Sequence, residues 1–402
     1  MPDARRHALV IGAGLAGAAV TSALARRGWR VTLLDAAGGP AQGASGLPVG
    51  MLSPHITRAP TPLSRLSQLG VTHTLAELQR LVPQGSGWQV CEVDNLGHDP
   101  GRWPAALVRP AALVEAWLQE AQGLGALTPR WNTTVHHLRR TASDDSPGEL
   151  HWQALDAGGQ CVAEAPVVVV AAALGSLALL TGHDGPLSPE ALPLNPVKGQ
   201  LSLGAREGPA LADRPQRNEG VFVPHYQDEG LPPNWPRAIW AMGSTFERGV
   251  NNTLVTGDAH ERNARSLQSI APAAAARLRN TLEQARLLGW AQVRCASLDR
   301  LPLVGAAPRL EALHAGAPAG GARRQRVAMA DVPRWPGLHL LCAMGSRGIT
   351  LAAWCADQLA LQIDGEVTLA EPVLLAHLDP ARFVVKAVRR QAAARTRSQP
   401  GG

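Results

Sequence analysis

One segment near the start of the chain restricts its fold more than any other. Residues 7–14, HALVIGAG, are a short apolar run ending in glycine. Residues 15–28, LAGAAVTSALARRG, carry a helical pattern closed by Gly28, and residues 29–35, WRVTLLD, form a second apolar run. Strand, helix and strand in that order predict a βαβ unit. Gly12, Gly14 and Gly17 spell GxGxxG at its first turn. Asp35 ends the second strand about 20 residues on, where the dinucleotide fingerprint requires an acid. Gly12 permits the tight turn, Gly14 lets a pyrophosphate approach the backbone, and Gly17 lets helix and strand pack closely. The helix N-terminus then faces the phosphates, and Asp35 is placed to accept from ribose hydroxyls. Glycines that only pack a βαβ unit are the alternative, and the complete order of features outweighs it.

The rest of the composition narrows the class. With 402 residues, 45% of them hydrophobic, the chain can bury one large core or two linked ones. Five cysteines (Cys91, Cys161, Cys295, Cys342, Cys355) are scattered and never spaced CxxC. That pattern argues for reduced thiols in a cytoplasm, and against a disulfide framework or a zinc site. The opening imitates an export signal, with arginines before an apolar run, yet its ordered glycines and the exit at Arg26 and Arg27 suit strand–turn–helix better. The run VVVVAAALGSLALL (167–180) falls short of the ~20 residues a membrane span needs. A soluble, cytoplasmic protein is expected, with no membrane partner and no metal site. His136 and His137 are adjacent and face opposite sides of a strand, a poor ligand pair, and His55 reads as a surface histidine or a weak site candidate.

The net charge of +6 favours polyanions only weakly. The tail is more pointed, since Phe383 to Gly402 carry Lys386, Arg389, Arg390, Arg395 and Arg397 with no acid. A solvated end and a nucleic-acid contact both fit such a run.

Along the chain, WQVCEVDNLG (88–97) reads as strand and turn, and an amphipathic helix begins near Pro110. TTVHHLRR (133–140) and the segment from Leu150 to Val170 read as strands. From Leu194 to about Val293 the pattern changes to strands joined by Pro-rich loops, with a helix around 258–288. Residues 306–328 are Ala/Gly/Arg-rich and read as a mobile insertion. A strand, the turn GSRG and a long helix closed at Gly365 follow. The predicted fold class is α/β: a discontinuous Rossmann-like domain (1–82, 105–192 and 294–375) with a second, antiparallel-sheet substrate domain (83–104 and 193–293). Residues 376–402 form the basic tail.

VRCASLDRLPLVG (293–305) poses a puzzle: Arg294 opens a segment whose other residues favour burial. A buried guanidinium needs a negative partner. Either Asp299, close in sequence, meets it, or a ligand carboxylate does.

The GxGxxG unit, GASGLPVGMLSP (43–54), PVKGQ (196–200), GSTFERG (243–249), VRCASLDRLPLVG and GSRGIT (345–350) occur in an order that resembles the glycine oxidase and D-amino acid oxidase flavoproteins. More closely, they resemble the FAD-dependent oxidoreductase half of bifunctional bacterial enzymes that make 5-methylaminomethyl-2-thiouridine at the tRNA wobble position. The resemblance implies FAD as cofactor and tRNA as partner. Because the chain opens directly on the flavin strand, it also implies a separate methyltransferase for the next step. Ser45 and Gly46 would meet the pyrophosphate, Gly50 and Met51 the flavin ring, and Val135 the adenine. At Gly345, Arg347, Gly348 and Ile349, outward N–H groups at a helix start would balance negative charge on the flavin; a helix cap by Ser346 could hold at the same time. Arg294 becomes the clamp of a substrate carboxylate, with Arg347 as the second catalytic candidate. Val221, three residues before Pro224, stands where glycine oxidases carry a tyrosine. The implied reaction is oxidation of a carboxymethylamino C–N bond, on 5-carboxymethylaminomethyl(-2-thio)uridine in tRNA or, alternatively, on free glycine, sarcosine or a D-amino acid.

Overall fold

The structure is a computed structural model and describes residues 6–142, 150–182, 185–278, 281, 287–309, 327–368 and 370–397, with side chains as far as Arg390. The opening segment folds as its pattern requires, into strand β1 (His7–Ile11), helix α1 (Leu15–Arg26) and strand β2 (Arg30–Leu34). β1 and β2 are parallel, with Val10 opposite Leu33. They form the centre of a six-stranded sheet in the order Leu303–Pro308, Arg334–Cys342, Val167–Val170, β1, β2, Leu127–Arg130. Every pairing in it is parallel except the edge strand Leu303–Pro308. Parallel strands are covered on both faces, which is why Val167–Val170 and β1 read as unbroken apolar runs. On one face lie α1, Pro62–Leu81, Pro110–Gly123 and Gly348–Ile363, closing a core around Val10, Leu24, Trp117 and Leu351. On the other, Leu9, Val168 and Leu340 pack against Trp152 and Ala154 of a three-stranded antiparallel sheet. Truncating one of these fully buried leucines to alanine would cost about 2–5 kcal/mol.

A nine-stranded sheet stands apart, all antiparallel except the pairing of Gln216–Arg217 with Trp88–Asn95. Its long strand Leu194–Ala205 pairs with Leu288–Ser297 on one side and with Ala238–Gly243 and Glu247–Arg248 on the other. The boundaries at 105 and 294 drawn from the sequence fall inside strands Gly101–Val108 and Leu288–Ser297, both in this sheet. Gly50–Leu52, assigned to the first domain, also joins it through Val108. Cross-strand hydrogen bonds set these edges, and a linear pattern does not carry them.

Other sequence expectations are corrected. Within the helix expected around 258–288, the described residues hold helices Gly257–Ile270 and Pro272–Arg277, broken at Pro272, and residues 279–280 and 282–286 lie outside the described residues. Of the 306–328 insertion, Ala306 to Pro308 complete an edge strand, and residues 310–326 lie outside the described residues. The basic tail is not a solvated end from Phe383 onward. Arg382–Arg397 form a helix whose first turn is docked, with Arg382, Phe383, Val384 and Val385 buried. Arg389 and Arg390 are exposed, and the side chains of Arg395 and Arg397 lie outside the described residues. No helix among the described residues is long and apolar enough to cross a membrane.

Candidate active site

A cavity of about 1030 Å³ runs from the βαβ turn to the face of the larger sheet, at the upper end of the size usual for ligand pockets. Its first end is built by the glycines. Gly12 has φ +105°, and a Cβ there would lie 2.5 Å from the Ala171 carbonyl oxygen. Gly14 is the N-cap of α1 and has no side chain to fill the space before the helix. Gly17 does not line the cavity; a Cβ on it would sit 1.7 Å from the Gly12 carbonyl oxygen, so it serves the close helix–strand packing. The Ser45 hydroxyl accepts from the Leu15 N–H at 2.9 Å, which places a movable polar group at the helix N-terminus. Gly46 also stays off the cavity and packs against the Ala41 carbonyl.

Asp35 lines the cavity, and its two oxygens accept from the N–H groups of Ala13 (2.6 Å) and Ala37 (2.8 Å). It ties together the loops at the ends of both strands and keeps spare lone pairs for ribose hydroxyls. Gly50 and Met51 line the opposite wall, where a Cβ on Gly50 would lie 2.4 Å from Ile349 Cδ1. Val135 lines the cavity as expected, but it precedes the strand His137–Ala142 and does not belong to it. These walls suit a dinucleotide: glycine backbone with the Ser45 hydroxyl at the helix N-terminus, an acid at the ribose position, and Gly50 packed against Ile349 on the opposite wall.

The GSRG turn differs from its sequence reading in two ways. The Arg347 N–H is bonded to the Met344 carbonyl at 3.0 Å, and the Arg347 side chain does not line the cavity. Helix Gly348–Ile363 has Arg347 as N-cap with no side-chain cap, so Ser346 does not close it. The first-turn N–H groups of Gly348 and Ile349 have no partner within the helix. Both residues line the cavity together with Gly345, so the positive end of the helix faces it.

Arg294 lies at the other end of the cavity, on strand Leu288–Ser297. Its guanidinium donates to Thr245 O (2.9 Å), Ser244 Oγ (3.1 Å) and Lys198 O (3.4 Å), and rests 5.4 Å from the Phe246 ring centre. All these partners are neutral. Burial lowers its pKa, the sign of a desolvated charge without compensation. Asp299 is not its partner. That carboxylate lies in the turn after the strand and binds Arg382 (2.9 Å) and Lys386 (3.0 Å). Burial opposes its ionisation, but the hydrogen bonds and charges of Arg382 and Lys386 hold its pKa well below the carboxylate range.

Several contributors escaped the sequence reading. Gly199 of PVKGQ is where the guanidinium passes; a Cβ there would fall 2.1 Å from Arg294 Nη2. Arg217 also lines the cavity, donating to Asn95 Oδ1 (2.9 Å), to Pro54 O (3.1 Å) and to Ser53 Oγ. Its Nη2 has no partner among the described residues, and burial lowers its pKa. His55 does not line the cavity; burial, then the charges of Arg347 and Arg217, lower its pKa. Val221 lines the wall, while the chain's single tyrosine, Tyr226, is buried against Asp228 (2.8 Å), so no phenol enters the cavity. Among the described residues there is no group of acids, histidines and cysteines able to hold a metal.

The fold and this cavity define a flavoprotein of the amine-oxidising architecture. The family model described as DAO, FAD dependent oxidoreductase, matches residues 7–107 and 101–362, and the chain belongs to that family. FAD is its cofactor. Among curated relatives, the chain is 34% identical to the tRNA 5-methylaminomethyl-2-thiouridine biosynthesis bifunctional protein MnmC of Verminephrobacter eiseniae, covering 95% of the chain and 64% of that protein. It is 35% identical to the protein of the same name from Paracidovorax citrulli, covering 95% and 62%. The chain thus spans just under two thirds of the length of these relatives. Among solved structures, it shares the fold of glycine oxidase from Geobacillus kaustophilus, with TM-score 0.64, 18% identity and coverage of 94% and 99%. Iminodiacetate oxidase from Chelativorans matches with TM-score 0.62, 19% identity and coverage of 93% and 98%.

Proposed function

We propose that the chain oxidises the C–N bond of a carboxymethylamino group on 5-carboxymethylaminomethyl(-2-thio)uridine at the wobble position of tRNA. The bond oxidised joins nitrogen to the carbon bearing the carboxylate. Water then hydrolyses the imine, giving glyoxylate and the 5-aminomethyl base. Bound FAD supplies the two-electron acceptor.

The single observation that carries this reading is the state of Arg294: a desolvated guanidinium in the cavity whose described partners are all neutral oxygens. A substrate carboxylate would complete it, and the planar fork would fix the adjacent carbon against the wall formed by Gly50, Met51 and Ile349. The N-terminus of Gly348–Ile363 favours negative charge at that wall. The reaction demands no side-chain base, since the amine need only be neutral. The relatives' assignment to tRNA 5-methylaminomethyl-2-thiouridine biosynthesis supports tRNA as the source of the amine.

The test is to mix the holoenzyme without oxygen with tRNA carrying the modified uridine, and separately with glycine, sarcosine and D-amino acids. Bleaching of the flavin by the tRNA, with glyoxylate released, is expected. Bleaching by a free amino acid alone would overturn the reading and leave a small-amine oxidase.

A further inference from the structure

Resting on the tRNA reading above, we propose that Phe246 and Arg248 form a subsite beside the Arg294 clamp that stacks the substrate base and holds an adjoining phosphate. The chain has three phenylalanines. Phe222 and Phe383 are buried, whereas Phe246 lines the cavity and is 52% exposed. Its exposed part offers an unpaired base a surface to stack on at the cavity wall.

Sheet register explains why the ring is flanked by charge. Val197 of strand Leu194–Ala205 is opposite Arg294 on one side and opposite Arg248 on the other. Residues in register across neighbouring strands project from the same face. The two guanidinium carbons lie 5.4 Å (Arg294) and 5.7 Å (Arg248) from the Phe246 ring centre. Arg248 is exposed, and the neighbouring acid, Glu247, is engaged by Arg262 (3.1 Å) and Thr245 (3.1 Å). Its charge therefore remains available to a ligand.

This pattern fits a base in a single-stranded loop. Aromatic rings stack unpaired bases, and exposed arginines meet the phosphates that follow. A uracil on Phe246 would leave only a short methylene–amine–methylene arm to reach Arg294. Glycine or sarcosine would have nothing to place on this ring.

The test uses holoenzyme variants, an anticodon stem-loop RNA carrying 5-carboxymethylaminomethyluridine at the wobble position, and the free modified nucleoside. Fluorescence anisotropy reads RNA binding, and anaerobic flavin bleaching reads half-saturation and maximal rate. Phe246→Ala should raise the half-saturating concentration of both RNA and nucleoside on the order of 10–100-fold, a larger effect than any on the maximal rate. Phe246→Tyr should restore it. Arg248→Gln should weaken RNA alone and lower the slope of log affinity against log salt by about 1. Unchanged RNA affinity in Phe246→Ala would overturn the subsite while leaving the tRNA reading intact. A fall in maximal rate without a rise in half-saturation would make Phe246 a prop for Arg294, and would also overturn it. Wild-type protein that neither binds nor oxidises the RNA would remove both proposals together.

Discussion

Arg294 and Arg382 are both drawn away from solvent, and their surroundings differ in kind. Arg382 meets the two oxygens of Asp299 at 2.9 and 3.0 Å and adds the carbonyls of Leu301 (2.9 Å) and Leu378 (3.0 Å). Its fork is saturated and its charge cancelled, so it fastens structure. Arg294 meets neutral oxygens only, at the edge of a cavity large enough for a ligand. The lesson is that a guanidinium's burial says less than the charge of what surrounds it. The same residue type is a rivet in one place and a receptor in the other.

Substitutions can break this contrast. The largest effect is expected from Arg294→Ala, a loss of about 2–5 kcal/mol in kcat/KM, typical of removing one partner from a desolvated charge pair. Thermal stability should hold or rise, since an uncompensated cation is removed. Arg294→Lys should recover little, because a point charge cannot reproduce the fork. A melting temperature that collapses, with normal turnover per folded molecule, would make Arg294 a rivet as well.

Asp299→Asn tests the other side. It should cost about 2–4 kcal/mol of stability at neutral pH, below the range for a fully buried pair because the carboxylate is partly exposed. Turnover per folded molecule should not change. The folded-state pKa of Asp299 is depressed, so its contribution is complete above the ordinary value of 3.8 and is lost as pH falls below it. Urea denaturation from pH 7 down to pH 2 should therefore show wild type and variant converging in acid. A gap that stays constant would remove the ion pair from the account.

The smallest and sharpest change is Gly199→Ala. The new methyl group would sit 2.1 Å from Arg294 Nη2 and 3.1 Å from the Thr245 carbonyl oxygen, so the guanidinium must shift. Half-saturation by substrate should rise about tenfold, near 1.4 kcal/mol, with FAD content and melting temperature close to wild type. Unchanged kinetics would show that the clamp tolerates displacement.

What the sequence carried and what it hid follow from the range of the interactions. The βαβ unit was legible because strand, glycines, helix and acid lie within one local stretch, each with its own steric reason. Arg294 was legible as a puzzle, since a charge in an apolar run needs explanation. Asp299 was nearest in sequence, yet a turn carries it toward a helix more than 80 positions downstream. Phe246, Arg248 and Gly199 were hidden because only the register of strand Leu194–Ala205 gathers them around Arg294. Val135 lines the cavity from outside the strand expected to carry it, because backbone lining a cavity need not be in a ladder. The docked first turn of the final helix was masked by the basic residues that follow it.

The crossing at 298–302 connects the strand bearing Arg294 to Leu303–Pro308, and so joins the larger sheet to the smaller. Arg382 grips this crossing at Asp299 and at the Leu301 carbonyl, and Ser297 Oγ holds the same carbonyl from within (2.7 Å). The C-terminal helix therefore works as a buckle over the seam between the two halves of the cavity. A fusion partner attached beyond Arg397 leaves the buckle closed. A proteolytic nick or truncation ahead of Ala381 opens it, and the alignment of the clamp against the flavin wall would loosen although no residue of either had been touched.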